Sequence, residues 1–155
     1  MIQTEIHKQK IYTRLYNQLL PLLSNSPSID AQMATVNAIL YHKLSYSFWA
    51  GFYFIRNKQL TVGPYQGPLA CQELAYPHGA CWQSIIQENP LIISDVRLFP
   101  DHIACDSRSK SEIVIPVKDK KKRIIGVFDM DSNQLDAFDS TDLEELGKIL
   151  ELLKF

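Results

Sequence analysis

The chain has 155 residues, enough for one domain that buries about two-thirds of its unfolded surface without disulfide staples. Hydrophobic residues make up 46% and charged residues 21%, ordinary globular usage, and the formal net charge is −1. With no basic stripe to neutralise phosphates, nucleic acid is not an expected partner. No run approaches the roughly 18 apolar residues of a membrane span, and "MIQTEIHKQKIYTRLYNQ" lacks the apolar stretch of a secretory signal, so the cytoplasm is the expected location.

The pattern of residues 8–23, with Ile11, Leu15 and Leu19 beside Tyr12, Tyr16 and Leu20, predicts a helix. "SNSPS" breaks it. Asp30 or Ser28 caps a second helix, whose Met33, Val36, Leu40 and Leu44 recur at steps of three and four. "SFWAGFYFI" reads as a strand, "RNKQ" as a turn and "LTVGPYQG" as the hairpin partner. Residues 68–80 carry no pattern, 81–88 fit a short helix, "LIIS" a short buried strand, and 95–110 a long polar loop. "SEIVIPV" and "RIIGVFDMD" are two further strands around the basic turn "KDKKK". Asp139 caps a last helix with Leu143, Leu146, Leu150 and Leu153 on one face. The fold class is α+β: an antiparallel sheet with helices packed on one face. Long loops inside compact domains are commonly functional, which draws attention to 95–110.

Alternate residues of a strand share a face, so Asp129 and Asp131 of "FDMD" point one way, with Ile124, Phe128 and Met130 toward the core. If 111–117 and 123–131 form a hairpin centred near residue 120, Glu112 lies opposite residue 128 or 129, and a slip of one residue decides which face it shares. Carboxylates gathered at one sheet end are either a solvated rim or a pocket for a cation. Held close they repel, one pKa rises, and an amino group satisfies them. A raised pKa also keeps one acid protonated near neutral pH, able to give up a proton.

Cys105 stands in "FPDHIACDSRSKSEIVIP", seven residues before Glu112. A free cysteine is usually a small buried hydrophobe, and this polar loop is not such a place. A thiol beside protonatable carboxylates suits a reaction in which sulfur attacks and an oxygen is protonated to leave, as in sulfoxide reduction. Arg108, Lys110 or loop backbone N–H groups are the candidate sources of positive potential for its thiolate.

"GPYQGPLAC", "FPDHIACDSRSKSEIVIP" and "GVFDMDS", with "WAGFY" upstream, resemble the free methionine-(R)-sulfoxide reductases, single-domain GAF proteins, over about residues 30–150. Three cysteines at offsets of 10 and 24 residues, then Glu seven after the last, are a specific set that general GAF sensor domains lack. The resemblance implies a single GAF domain over 1–155, with the helix at 8–23 packed on it. It implies that Cys105 is the nucleophile and Cys71 the resolving cysteine, with Cys81 a third that pairs with Cys71 or resolves in its place. Glu112, Asp129 and Asp131 match the acids that hold the substrate's amino group and sulfoxide, and Trp49 and Tyr53 the aromatic wall at the methyl end. The backbone around Ile103 and Ala104 then faces the substrate carboxylate. The implied reductant is thioredoxin, with no cofactor, and a homodimer is a candidate assembly. Two departures stand near the site: Trp82 follows Cys81, and Asp101 stands in "FPDHIAC", where the family usually has Gly at both places.

Two rival readings exist. One is a GAF sensor that binds a small molecule without turnover, though a sensor has no need of three cysteines. The other is a zinc site from Cys71, Cys81, Cys105, His78 and His102, but C-x6-H-x2-C is not a standard zinc spacing and no metal site is expected. On residues alone Trp49 and Tyr53 read as core aromatics, His7 and His42 as surface histidines, and "KDKKKR" as a solvated turn.

Overall fold

The computed structural model describes residues 5–155; the first four residues of the expected N-terminal segment lie outside this range. Helix α1 (Glu5–Ser24) buries Lys8, Tyr12, Leu15, Leu19 and Leu23, a stripe at three- and four-residue spacing, whereas Leu20 is exposed. Helix α2 (Ile29–Lys43) is capped by Ser28, whose Oγ accepts from the Ala31 N–H at 3.2 Å, and Asp30 falls in its first turn. Because that hydroxyl satisfies an otherwise orphaned helix donor, Ser28→Ala is expected to lower stability by about 1 kcal/mol, read as a shifted denaturant midpoint. An unmoved midpoint would mean that water replaces the cap.

Six strands follow, broken by helix α3: β1 (Trp49–Arg56), β2 (Gln59–Gln66), β3 (Glu73–Leu74), α3 (Gly79–Gln87), β4 (Leu91–Ile93), β5 (Ser111–Lys118) and β6 (Ile124–Ser132). Helix α4 (Ser140–Leu150) closes the chain. The sheet order is β3-β2-β1-β6-β5-β4, with each paired neighbour antiparallel. The segment 68–80, expected to be irregular, contains β3 and the start of α3, which begins at Gly79 rather than at 81.

Strand alternation divides the interior in two. Ala50 and Phe52 of β1, Ile113, Ile115 and Val117 of β5, and Phe128 and Met130 of β6 meet α1, α2 and α4 on one face. Trp49, Tyr53, Val114 and Val127 face the other way and meet Ala80, Cys81 and Trp82 of α3. The three long helices thus share one face, as the patterning predicts, while α3 and the loop after β4 cover part of the second. Burial of this second face is what turns the acid-bearing side of the sheet into a pocket instead of a solvated rim.

Two details differ from the sequence reading. Ile125, not Ile124, packs on the helix-side core, because a register irregularity at Val117/Lys118 leaves Ile125 without a facing residue on β5. The expected leucines of the last helix pack on the helix-side core, Leu146 and Leu153 buried and Leu143 and Leu150 beside them, but α4 also buries Thr141, Asp142, Glu145 and Ile149, which the pattern does not mark. The acids are inside because they have partners. Lys8 Nζ donates to Ala137 O and Asp139 Oδ2 at 2.8 Å and to Asp142 Oδ2 at 2.5 Å, Tyr12 and Tyr46 donate to Asp142 Oδ1, and Lys148 reaches Glu145. A buried charge of this kind persists only when paired, so the network ties α1 to α4 in one arrangement.

Candidate functional site

The pocket is built on the centre of the sheet. Strand pairing sets Trp49 opposite Asp131 and Gly51 opposite Asp129 across β1–β6, and Glu112 opposite Asp131 across β5–β6. This corrects the expected register, which put Glu112 across from residue 128 or 129. The turn is centred one to two residues later, and all three carboxylates come to one face as a direct pair and a diagonal. Gly51 is required here. A Cβ at this position would lie 2.6 Å from the Trp49 ring and 2.4 Å from the Tyr65 Cβ. Without one, the indole lies flat between Tyr53 and Tyr65, at centroid distances of 5.8 and 5.5 Å.

The other walls come from connections. The loop after β4 is anchored at its base by Val96 N–H to Lys110 O (2.9 Å) and Lys110 N–H to Ser132 O (2.8 Å). It brings His102, Ile103, Cys105 and Ser109 to the pocket, while Gly79, Ala80 and Cys81 enter from the first turn of α3. The empty space of the pocket, its open mouth and the solvent there included, is about 570 Å³. Cys71 and Cys105 form a disulfide with a Cα–Cα distance of 5.4 Å, and the Tyr53 hydroxyl donates to Cys71 O at 3.2 Å. Cys105 is exposed, Cys71 half-buried, and Cys81 a buried free thiol.

The electrostatics follow from burial. Glu112 and Asp129 are 5% and 6% exposed, so two carboxylates share a nearly dry space with the half-buried Asp131. Burial, then the charges of Glu112 and Asp131, push Asp129 well above the usual carboxylate range. Burial and Glu112 push Asp131 up to about 7, against a Ser109 Oγ donor at 2.5 Å that pulls it down. His102 Nε2 donates to Glu112 Oε2 at 3.0 Å, and this bond raises the imidazole pKa. One carboxylate is thus paired with a histidine, while burial and mutual repulsion favour protons on the other two. Among the described residues, Asp129 Oδ1 has no hydrogen-bond partner. Burial, then the Asp129 charge, raises the Cys81 pKa, so this thiol is not a ready nucleophile.

A raised carboxyl pKa makes the folded state bind more protons than the unfolded chain between about pH 4 and 7, so stability falls as pH rises across that window. The raised His102 pKa has the same sign, since its contribution is complete below its unfolded value and lost above its folded one. Carboxyls held low by arginines, such as Asp106, act only below about pH 4. The melting temperature is therefore expected to drop from about pH 5 to pH 8 and to drop less in Asp131→Asn. A flat profile would show that the acids are ionised throughout.

No family model matches the chain. Among characterised proteins it is 42% identical over 147 residues to GAF domain-containing protein A of Dictyostelium discoideum, covering 94% of this chain and 92% of the relative. It is 35% identical over 149 residues to the free methionine-R-sulfoxide reductase of Escherichia coli, covering 96% of this chain and 90% of that one. The crystal structure of free methionine-R-sulfoxide reductase from Neisseria meningitidis in complex with its substrate superposes with a TM-score of 0.89 at 36% identity, over 95% of this chain and 88% of that one. The chain belongs to the free methionine-R-sulfoxide reductase family. Its fold is that of the GAF domains.

Of the residues that the family resemblance picks out, Trp49, Tyr53, Cys81, Ile103, Cys105, Glu112, Asp129 and Asp131 line this same pocket, with Cys71 bonded to its rim. Ala104 is exposed and off the wall. Arg108, a candidate source of positive potential, is instead forked onto Asp106 (2.9 and 2.6 Å) and lies over the Phe48 ring. The cysteine–histidine zinc set does not assemble: Cys71 and Cys105 are joined, and His78 faces Asp101 at 3.9 Å. A different trio, Cys81, Glu112 and Asp129, has its ligand atoms within 4.8 Å of one another.

Both departures from the reductase pattern have a physical account. Asp101 has φ +55°, the left-handed region where Gly is free and Asp is among the residues that follow it at least strain. Trp82 is 5% exposed; its Nε1 donates to Leu74 O at 2.9 Å and its ring meets Tyr76 edge-on, so it fixes β3 to α3 without entering the pocket. Sequence reasoning missed His102 and Ser109 as partners of the acids. Their one signal was position, on the same loop as Cys105.

Proposed function

We propose that this chain reduces free L-methionine-(R)-sulfoxide to methionine. The observation that carries this reading is the Cys71–Cys105 disulfide at the mouth of a pocket floored by Glu112, Asp129 and Asp131. The ammonium of a free amino acid takes the place of one proton among the acids and leaves another in place, the Trp49–Tyr53 wall takes the methyl end, and the backbone near Ile103 with the uncapped first turn of α3 faces the carboxylate. Cys105 thiolate attacks the sulfoxide sulfur while a protonated carboxyl of the Asp129–Asp131 pair gives its proton to the departing oxygen. The hydroxyl passes to the Cys105 sulfur as the transient S–S bond breaks, so methionine leaves and Cys105 becomes sulfenic acid. Cys71 condenses with it, releasing water and forming the disulfide. A thioredoxin-type dithiol then reduces that disulfide by exchange, taking up the oxidising equivalents itself, so no bound cofactor is needed.

Such a cycle belongs in a reducing compartment, which supports the cytoplasm. Among the described residues no helix is long and apolar enough to cross a membrane. The test is turnover of resolved R and S free methionine sulfoxide with dithiothreitol. Methionine from the R epimer is expected. Binding of either epimer without methionine or thiol consumption would instead make the domain a sensor.

The resolving role gives a separate expectation. Cys71→Ser should complete one turnover at the normal rate yet cycle slowly with thioredoxin, and dithiothreitol should partly restore cycling by attacking the sulfenic acid directly. Wild-type cycling of that variant with thioredoxin would assign resolution to Cys81.

A further inference from the structure

From the floor of the pocket we infer that Cys81, Glu112 and Asp129 form a binding site for a thiophilic divalent cation, zinc or cadmium, which excludes the amino-acid substrate. Their ligand atoms already lie within 4.8 Å of one another, all three residues being buried. Tetrahedral bonds of about 2.0–2.3 Å set ligand atoms roughly 3.3–3.8 Å apart, so small side-chain rotations close the site. A second observation points to a ligand at this spot. Asp129 Oδ1 is buried in the pocket wall and has no partner, and a lone pair held that way lacks the hydrogen bond that buried carboxylate oxygens normally make.

A fourth donor is at hand. His102 Nε2 sits 3.0 Å from Glu112 Oε2, so freeing that nitrogen completes one sulfur, one nitrogen and two oxygens. This donor set suits zinc and cadmium. The thiolate argues against magnesium and calcium, which take oxygen ligands. Cys81 is otherwise a buried thiol with no part in the Cys71–Cys105 bond. The cation would occupy the acids assigned above to the substrate ammonium. Its effect on turnover therefore rests on the proposed function, whereas its binding does not.

The disulfide makes the test clean. The chain has three cysteines, so with Cys71 and Cys105 joined the one remaining thiol is Cys81. Oxidised full-length protein, verified by thiol titration, is titrated with cadmium chloride. One equivalent should bind with thiolate-to-cadmium charge-transfer absorption in the ultraviolet, and magnesium chloride should neither bind nor compete. Cys81→Ser should lose the absorption. Asp129→Asn and Glu112→Gln should each weaken binding by at least roughly tenfold, the loss that even supporting partners of metal ligands produce. His42→Ala, on α2 away from the pocket, should bind as the unaltered chain does. No stoichiometric binding by the oxidised protein overturns the inference, as does an unchanged signal in Cys81→Ser or unchanged affinity in both carboxyl variants. Cadmium binding by a protein that leaves methionine sulfoxide intact would sink the proposed reaction and not the cation site.

Discussion

Cys105→Ser is expected to yield no methionine from the free (R)-sulfoxide with either thioredoxin or dithiothreitol. A hydroxyl near neutral pH is far less nucleophilic than a thiol. Cys105 is the exposed cysteine on the pocket wall, carried by a loop whose base is pinned to Ser132. Cys81 does not substitute for it, because burial and the adjacent Asp129 hold that thiol protonated. Cys71 does not either, since it bonds to the rim and is absent from the lining. The measurement is methionine formed per chain in a single turnover. Methionine in an amount near one per chain would move the nucleophile to another cysteine and detach the mechanism from the disulfide seen here.

The parts of this site legible in the sequence were those set by local periodicity. Alternation in "FDMD" put Asp129 and Asp131 on one face, and the same rule put Phe128 and Met130 in the helix-side core. The parts that were not legible depend on contacts distant in the chain. Whether Glu112 joins the acids is decided by the length of the 119–123 turn and by the irregularity at Val117/Lys118, neither of which leaves a periodic signal. The path of the Cys105 loop, and with it the placing of His102 on Glu112 and Ser109 on Asp131, comes from anchors to β6. The leucine row of the last helix was legible but its buried acids were not, because Asp142 and Glu145 look like surface acids until Lys8, Tyr12, Tyr46 and Lys148 are brought to them. Those partners lie as far as 134 residues away, beyond any window of pattern reading.

N-acetyl-methionine-(R)-sulfoxide is expected to be a very poor substrate, with kcat/KM roughly 30- to 4,000-fold below that of the free amino acid, the equivalent of about 2–5 kcal/mol for a lost charge-assisted contact. Acetylation removes the cation and leaves the acids as they stand in the free protein, with Asp129 and Asp131 pushed up by burial and by Glu112. In that state the orphaned Asp129 Oδ1 still has nothing to accept, and the amide adds a polar group with no opposite charge to meet it. A methionine sulfoxide within a protein chain lacks the ammonium for the same reason and should be rejected as strongly. Asp129→Ala should lower kcat/KM for the free amino acid by a comparable factor and the already slow reaction of the acetylated one by less, because the ammonium contact is made by the first substrate alone whereas proton delivery by the Asp129–Asp131 pair serves both. That difference separates recognition of the amino group from a general loss of catalysis, which would slow both equally. Equal kcat/KM for the free and acetylated sulfoxides in the unaltered protein would mean that the three carboxylates do not read the ammonium, and their burial would need another cause.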